Sequence, residues 1–141
     1  MTRFFKYTGV ISLMAIILVS CTPEDINNVD PDVSNNVQTG KWAITLYSDG
    51  GQDELYHFSG YEFSFQNGTA TAVKGGDTIS GTYSNGIDDS EMKFYLDFGN
   101  LAPFDELNDD WHILENTTTK IRLEDVSGGN GDTDLLTFER K

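Results

Sequence analysis

The sequence predicts an all-β domain, an antiparallel up-and-down barrel of eight strands. Three observations predict it. Apolar and polar residues alternate with a period of two, turns rich in Gly, Asn and Asp separate the alternating runs, and only one short stretch carries a helical spacing. Alternation means one dry face and one wet face, the condition of an antiparallel sheet rather than a parallel one. A two-sheet sandwich would show the same alternation and is the alternative; closing a meander of short strands removes both unpaired edges and favours the barrel.

The strands are predicted at about 41–47, 56–65, 69–74, 78–83, 91–98, 111–115, 120–124 and 133–140. In the first, Trp42, Ile44 and Leu46 face inward, which turns Tyr47 outward. In the second, Tyr61, Phe63 and Phe65 alternate with Glu62 and Ser64. The clearest run sets Met92, Phe94, Leu96 and Phe98 against Glu91, Lys93, Tyr95 and Asp97, so Tyr95 also points outward. Trp111 with Ile113, Ile121 with Leu123, and Leu136 with Phe138 complete the inward set. Asn67-Gly68 fits a type I′ turn, because both residue types tolerate positive φ. Asp49-Gly50-Gly51, Gly75-Gly76-Asp77, Asn85-Gly86 and the glycines of 128–131 mark further reversals. The exception is 102–108, where Pro103 can open one helical turn with Phe104 and Leu107 as its apolar side.

Ahead of this domain stands an export leader, residues 1–20. Arg3 and Lys6 form its basic end, and Val10 to Val19 is an uncharged apolar run. Ten helical residues reach only about 15 Å, half of a ~30 Å hydrocarbon core, so the run does not span a bilayer and reads as a signal peptide. Leu18-Val19-Ser20-Cys21 fits a lipobox, with Leu three before the cysteine and a small residue just before it. Cys21 is the one cysteine of the chain. Lipidation there makes Cys21 the acylated first residue of the mature protein, and leaves no thiol for disulfides, nucleophilic catalysis or metal. Its acyl chains would hold the protein to a membrane. Residues 21–39, polar and rich in Asn and Asp with Pro23 and Pro31, are predicted to be a flexible acidic linker, leaving 40–141 as the barrel domain.

Two resemblances sharpen this picture. Gly40-Lys41-Trp42 opens the first strand as the Gly-x-Trp signature does in lipocalins, and Phe63-x-Phe65-x-Asn67-Gly68 followed by Gly81-Thr82-Tyr83 resembles small lipocalin-like lipoproteins of flavobacteria and other Bacteroidetes. The pattern covers most of 40–140. It implies that Trp42 packs at the barrel floor under a basic side chain from a late strand, for which Arg122 and Arg140 are the candidates; a cation over an indole face is favourable. It also implies an outer-membrane lipoprotein that binds a small apolar molecule or envelope component. The lipocalin Thr-Asp-Tyr loop signature is missing and the domain is shorter than a typical lipocalin, which argues against a large cavity. Thr22-Pro23-Glu24-Asp25 resembles the acidic signal that sends some Bacteroidetes lipoproteins to the cell surface, so the domain is expected to face either the periplasm or the exterior.

Charge excludes one class of partner. The precursor carries −14, and loss of Arg3 and Lys6 with the leader deepens this to −16. Such a surface repels phosphate backbones, so no nucleic acid is expected. Catalytic motifs are absent: no serine lies in Gly-x-Ser-x-Gly, and there is no phosphate-binding Gly-x-x-x-x-Gly-Lys-Ser/Thr loop. His57 and His112 are far apart in sequence and read as surface or rim residues. Adjacent acids such as Asp53-Glu54, Asp105-Glu106 and Asp109-Asp110 read as solvated turns, and the loop 125–134 departs from both common calcium-loop spacings. The chain is therefore expected to be a monomeric non-enzyme without cofactor or metal, the alternative being a hydrolase that uses paired carboxylates. An alternative to the apolar-ligand function is a protein- or glycan-interaction module that uses Tyr47 and Tyr95 as exposed stacking residues.

Overall fold

The structure, a computed structural model, describes residues 33–126 and 131–141. The leader, Leu18, Val19, Ser20, Cys21 and most of the linker lie outside the described residues, as does 127–130 in the loop considered for calcium. Nine strands follow in chain order: β1 (Trp42–Asp49), β2 (Gln52–Asp53), β3 (Glu62–Gln66), β4 (Thr69–Lys74), β5 (Asp77–Asp88), β6 (Glu91–Asp97), β7 (Asp109–Asn116), β8 (Lys120–Val126) and β9 (Thr133–Arg140). From β3 to β9 each strand pairs with the next, and β1 pairs with both β3 and β9. Eight strands thus close into an antiparallel barrel, with the two-residue β2 attached to the edge of β1. Closure rests on the β1–β9 ladder, which runs from Trp42 opposite Arg140 to Ser48 opposite Leu135, and replaces the sandwich alternative.

The inward residues fill the barrel. Trp42, Phe63, Phe94, Phe98 and Trp111 are all buried, none more than 5% exposed. Edge-on ring contacts cross the interior: Phe63 and Phe65 each lie 5.5 Å from Phe138, and Phe65 lies 6.0 Å from Phe94. Packing of this kind adds to the burial of the rings themselves. Each barrel end is stoppered by a short helical turn held by an indole. At the floor, α1 (Ser34–Val37) buries Val33 and Val37, and Trp42 Nε1 donates to the Val37 carbonyl at 2.9 Å. At the opposite rim, the 3₁₀ turn η2 (Phe104–Leu107) buries Phe104 and Leu107, and Trp111 Nε1 donates to the Leu107 carbonyl at 3.0 Å. The helical turn read from Pro103, Phe104 and Leu107 is thus present. Residues 33–37, ahead of Gly40, pack into the folded unit, because the floor needs a stopper and they supply it.

Three local expectations are corrected. The stretch 56–65 is not one strand: a 3₁₀ turn η1 (Leu55–His57) precedes β3, and Phe58 is buried. Asn85-Gly86 is not a reversal; β5 continues through it, and the chain turns at Asp89 and Ser90, whose φ values are 50° and 69°. Asn67-Gly68 does turn with positive φ at both residues, 50° and 79°, as its chemistry requires. The third correction concerns Tyr47. A β-bulge lies between Ile44 and Leu46, where both residues have consecutive partners on β9, so Thr45 is an extra residue. One extra residue inverts the alternation beyond it. Leu46 is consequently 41% exposed and Tyr47 only 3%.

Candidate functional site

The seam between β1 and β3 is where the barrel wall is thinnest in hydrogen bonds. Their register holds a single opposed pair, Trp42 with Phe63. Beyond it the free edge of β1 is taken by β2 and by the Glu54 amide, which donates to the Tyr47 carbonyl at 3.1 Å. Segment 54–61 fills the widening gap by burying Phe58, whose ring meets Tyr47 at 5.0 Å and Phe104 at 5.7 Å. The Tyr47 hydroxyl donates to the Glu106 carbonyl at 2.9 Å and so ties η2 to β1.

This packing places three polar side chains together on the outside of the seam. Glu54 and His57 lie three apart around η1, a spacing that puts both on one side of a tight turn. His57 Nδ1 is 2.8 Å from a Glu106 carboxylate oxygen and 3.7 Å from a Glu54 oxygen. All three are half-buried. The Tyr56 ring stands against the imidazole at 4.2 Å. Burial pushes the Tyr47 phenol above its usual pKa, and the negative charges of Glu106, Asp49, Asp134 and Glu54 push it further. The neighbourhood is strongly electronegative.

His112 sits elsewhere, on β7 opposite Glu124, with glutamates 3.2 Å (Glu91) and 3.5 Å (Glu124) from its ring nitrogens. The fold does not unite the two histidines in any three-ligand cluster among the described residues. A second group at the same rim as η2, Asp109, Asp110 and Asp125, is carboxylate only. Burial raises Asp109 to about 6; the hydrogen bond from the Asp110 amide opposes the shift, while a carboxyl hydrogen bond with Asp110 and the charges of Asp125 and Asp110 add to it. A carboxyl whose folded pKa exceeds its unfolded value penalises the fold once ionised. That penalty is absent below about 4, grows through about 6 and is complete above it. Asp109→Asn should therefore stabilise the protein at pH 7 by about 1 kcal/mol, after allowance for solvent screening, and by much less at pH 4. Urea titrations of both proteins at the two pH values measure the difference, and equal gains at both would contradict the assignment.

The residues singled out in the sequence fall in different places. Gly40, Trp42 and Arg140 meet at the floor: the Arg140 guanidinium lies 6.0 Å from the Trp42 ring and donates to the carbonyls of Thr39 (2.6 Å) and Thr118 (3.1 Å). Gly40 has φ +87°, which favours glycine, and a Cβ there would come within 2.7 Å of Arg140 Nε and displace the guanidinium. Arg122 is instead on the outer wall, 3.9 Å from Glu115, lining a small crevice with Leu46, Leu114 and Thr137. Tyr95 is a half-buried outer-face residue whose ring a Cβ on Gly86 would touch at 3.0 Å. Tyr47, being interior, shares no surface with it. A shallow groove of about 250 Å³ runs outside β1, between Thr45, Leu46 and Ser48 on one side and Gly51, Asp53 and Leu55 on the other. The Glu54–His57–Glu106 cluster escaped sequence reasoning because His57 read as part of a strand over 56–65, while Glu54 and Glu106 read as acids of two separate solvated turns.

These features define a closed antiparallel β-barrel, stoppered at both ends, with a His–carboxylate cluster on its β1–β3 seam. No family model matches the chain, and no curated protein is similar to it. Among solved structures, the crystal structure of an uncharacterized protein from Bacteroides eggerthii DSM 20697 at 2.60 Å resolution aligns with 72% of this chain and 98% of its own, at 20% identity and a TM-score of 0.42. A likeness at that level does not define a shared fold.

Proposed function

We propose that this chain is a lipid-anchored, non-enzymatic outer-membrane protein that meets a protein or glycan partner with the exterior of its barrel, rather than carrying an apolar molecule inside it. The observation that supports this reading is the interior itself. Ring contacts among Phe63, Phe65, Phe94 and Phe138 occupy the space an internal ligand would need, and both helical stoppers are pinned by buried indoles. Ligand cavities typically hold about 300–1,000 Å³, whereas among the described residues the barrel interior is occupied by the buried rings of Trp42, Phe63, Phe65, Phe94, Phe138 and Trp111. A concave surface lies outside, in the groove along Leu46 and Leu55, with Leu46 41% exposed.

The anchor is the lipobox cysteine. Cys21→Ala should move the protein from the membrane to the soluble fraction of its host, and persistence in membranes would contradict lipidation there. The binding mode is read by native mass spectrometry of the wild-type protein extracted from host membranes. The expected spectrum shows the acylated chain free of any internal small molecule; one apolar molecule bound per chain would overturn the exterior reading.

A further inference from the structure

We propose that Glu54, His57 and Glu106 form a binding site for a divalent transition-metal ion of the zinc class on the β1–β3 seam. The inference does not depend on how the chain is anchored or on what its outer surface meets.

Three features carry it. The first is donor geometry. One atom from each of the three side chains lies within 4.8 Å of the other two, and the two distances to His57 Nδ1 are 2.8 and 3.7 Å. Ligands about a tetrahedral zinc, bonded at roughly 2.0–2.2 Å, stand about 3.3–3.5 Å apart. The two distances to Nδ1 bracket that value. The second is charge. Two carboxylates converge on one imidazole, and among the described residues His57 is the one cation-forming group within 4.0 Å of either glutamate. Among the described residues no lysine or arginine pairs with them, and Asp49 and Asp134 add to the field felt at Tyr47. A divalent ion supplies what the site lacks, taking the place of any proton on Nδ1 as it binds.

The third is support. Glu54 is fixed through its amide to the Tyr47 carbonyl, η1 is started by the Asp53 carboxylate accepting from the Leu55 amide at 3.0 Å, and Glu106 is fixed through its carbonyl to the Tyr47 hydroxyl. Phe58, adjacent to His57, is locked between Tyr47 and Phe104. Ligands on two separate turns are thereby held to one buried residue, Glu54 by the Tyr47 backbone carbonyl and Glu106 by its hydroxyl, which is the rigidity a selective site requires. An imidazole nitrogen beside carboxylates suits zinc and its neighbours better than calcium or magnesium, which prefer all-oxygen shells. The partial exposure of all three side chains leaves room for water at a fourth position.

The test is a calorimetric titration of the full chain with zinc chloride. Cys21→Ala is used throughout, so that the one thiol does not contribute. One zinc per chain is expected, with a rise in Tm, and calcium and magnesium should bind more weakly. His57→Ala should abolish binding. Glu54→Gln and Glu106→Gln should each weaken it by more than the roughly 10- to 100-fold that loss of an outer-shell partner costs. His112→Ala, which removes the other glutamate-flanked histidine, should leave it intact; His57 and His112 are both on the outer wall, so neither variant empties the core. Absence of saturable zinc binding would overturn the site, as would binding that survives His57→Ala or disappears with His112→Ala.

Discussion

Trp42→Ala should remove about 3–5 kcal/mol of stability, the range seen when large buried aromatics are truncated. For a domain whose whole stability is about 5–15 kcal/mol, that loss leaves the fold near its limit. The size of the effect comes from three roles meeting in one side chain. Trp42 is fully buried, its indole holds α1 through the Val37 carbonyl, and its face carries the Arg140 guanidinium. It also makes the sole opposed pair of the β1–β3 seam, with Phe63. Trp42→Phe separates these contributions. It keeps most of the apolar volume and loses the hydrogen bond, so about 1–2 kcal/mol should be lost, with α1 released first. Urea denaturation followed by tryptophan fluorescence, with Trp111 as the remaining reporter, measures both variants. A loss below about 1 kcal/mol for Trp42→Ala would mean that the floor of the barrel is held by something other than this residue.

How far the fold was legible follows from which interactions are local. Strands β1, β3, β6, β7, β8 and β9 announced themselves through their own alternation, and Asn67-Gly68 through its own φ preference, so the all-β meander could be read before any coordinates, although the second half of β5 read as a turn. The floor was legible in part, since Gly40-x-Trp42 limited the basic partner to Arg122 or Arg140; only the β1–β9 register selects Arg140, which stands opposite Trp42. Other features depend on partners remote in sequence. Nothing in Ser34-Asn35-Asn36-Val37 marks a helix; it forms because an open barrel end and the Trp42 indole give its backbone and Val37 somewhere to go. Asn85-Gly86 has turn chemistry, yet β6 runs alongside it and Tyr95 needs a residue without a side chain beneath its ring. The metal-ligand cluster needs η1 and η2 side by side, and neither Glu54-x-x-His57 nor Asp105-Glu106 carries information about the other. The bulge at Thr45 is the least legible of all, because an uninterrupted Trp-Ala-Ile-Thr-Leu-Tyr run continues through it.

That bulge makes the second large prediction a contrast between neighbours. Unbroken alternation from Trp42 would make Leu46 a core residue and Tyr47 a surface one, and the structure has them reversed. Tyr47→Ala should therefore cost about 3–5 kcal/mol, while Leu46→Ala, at a position 41% exposed, should cost under about 1 kcal/mol. Tyr47→Phe isolates the hydroxyl. It leaves the ring against Phe58 and removes the bond to the Glu106 carbonyl, for an expected loss of about 1 kcal/mol. The consequence reaches past stability, since that bond is what sets η2 against β1 and aims the Glu106 carboxylate at His57. Loosening η2 should raise the hydrogen-exchange rate of the Glu106 and Asn108 amides, which bond to Pro103 and Asp105, before it affects the ladder between β8 and β9. Equal costs for Leu46→Ala and Tyr47→Ala would restore the unbroken phase, put the phenol back in water, and leave the seam without the residue that binds its two turns together.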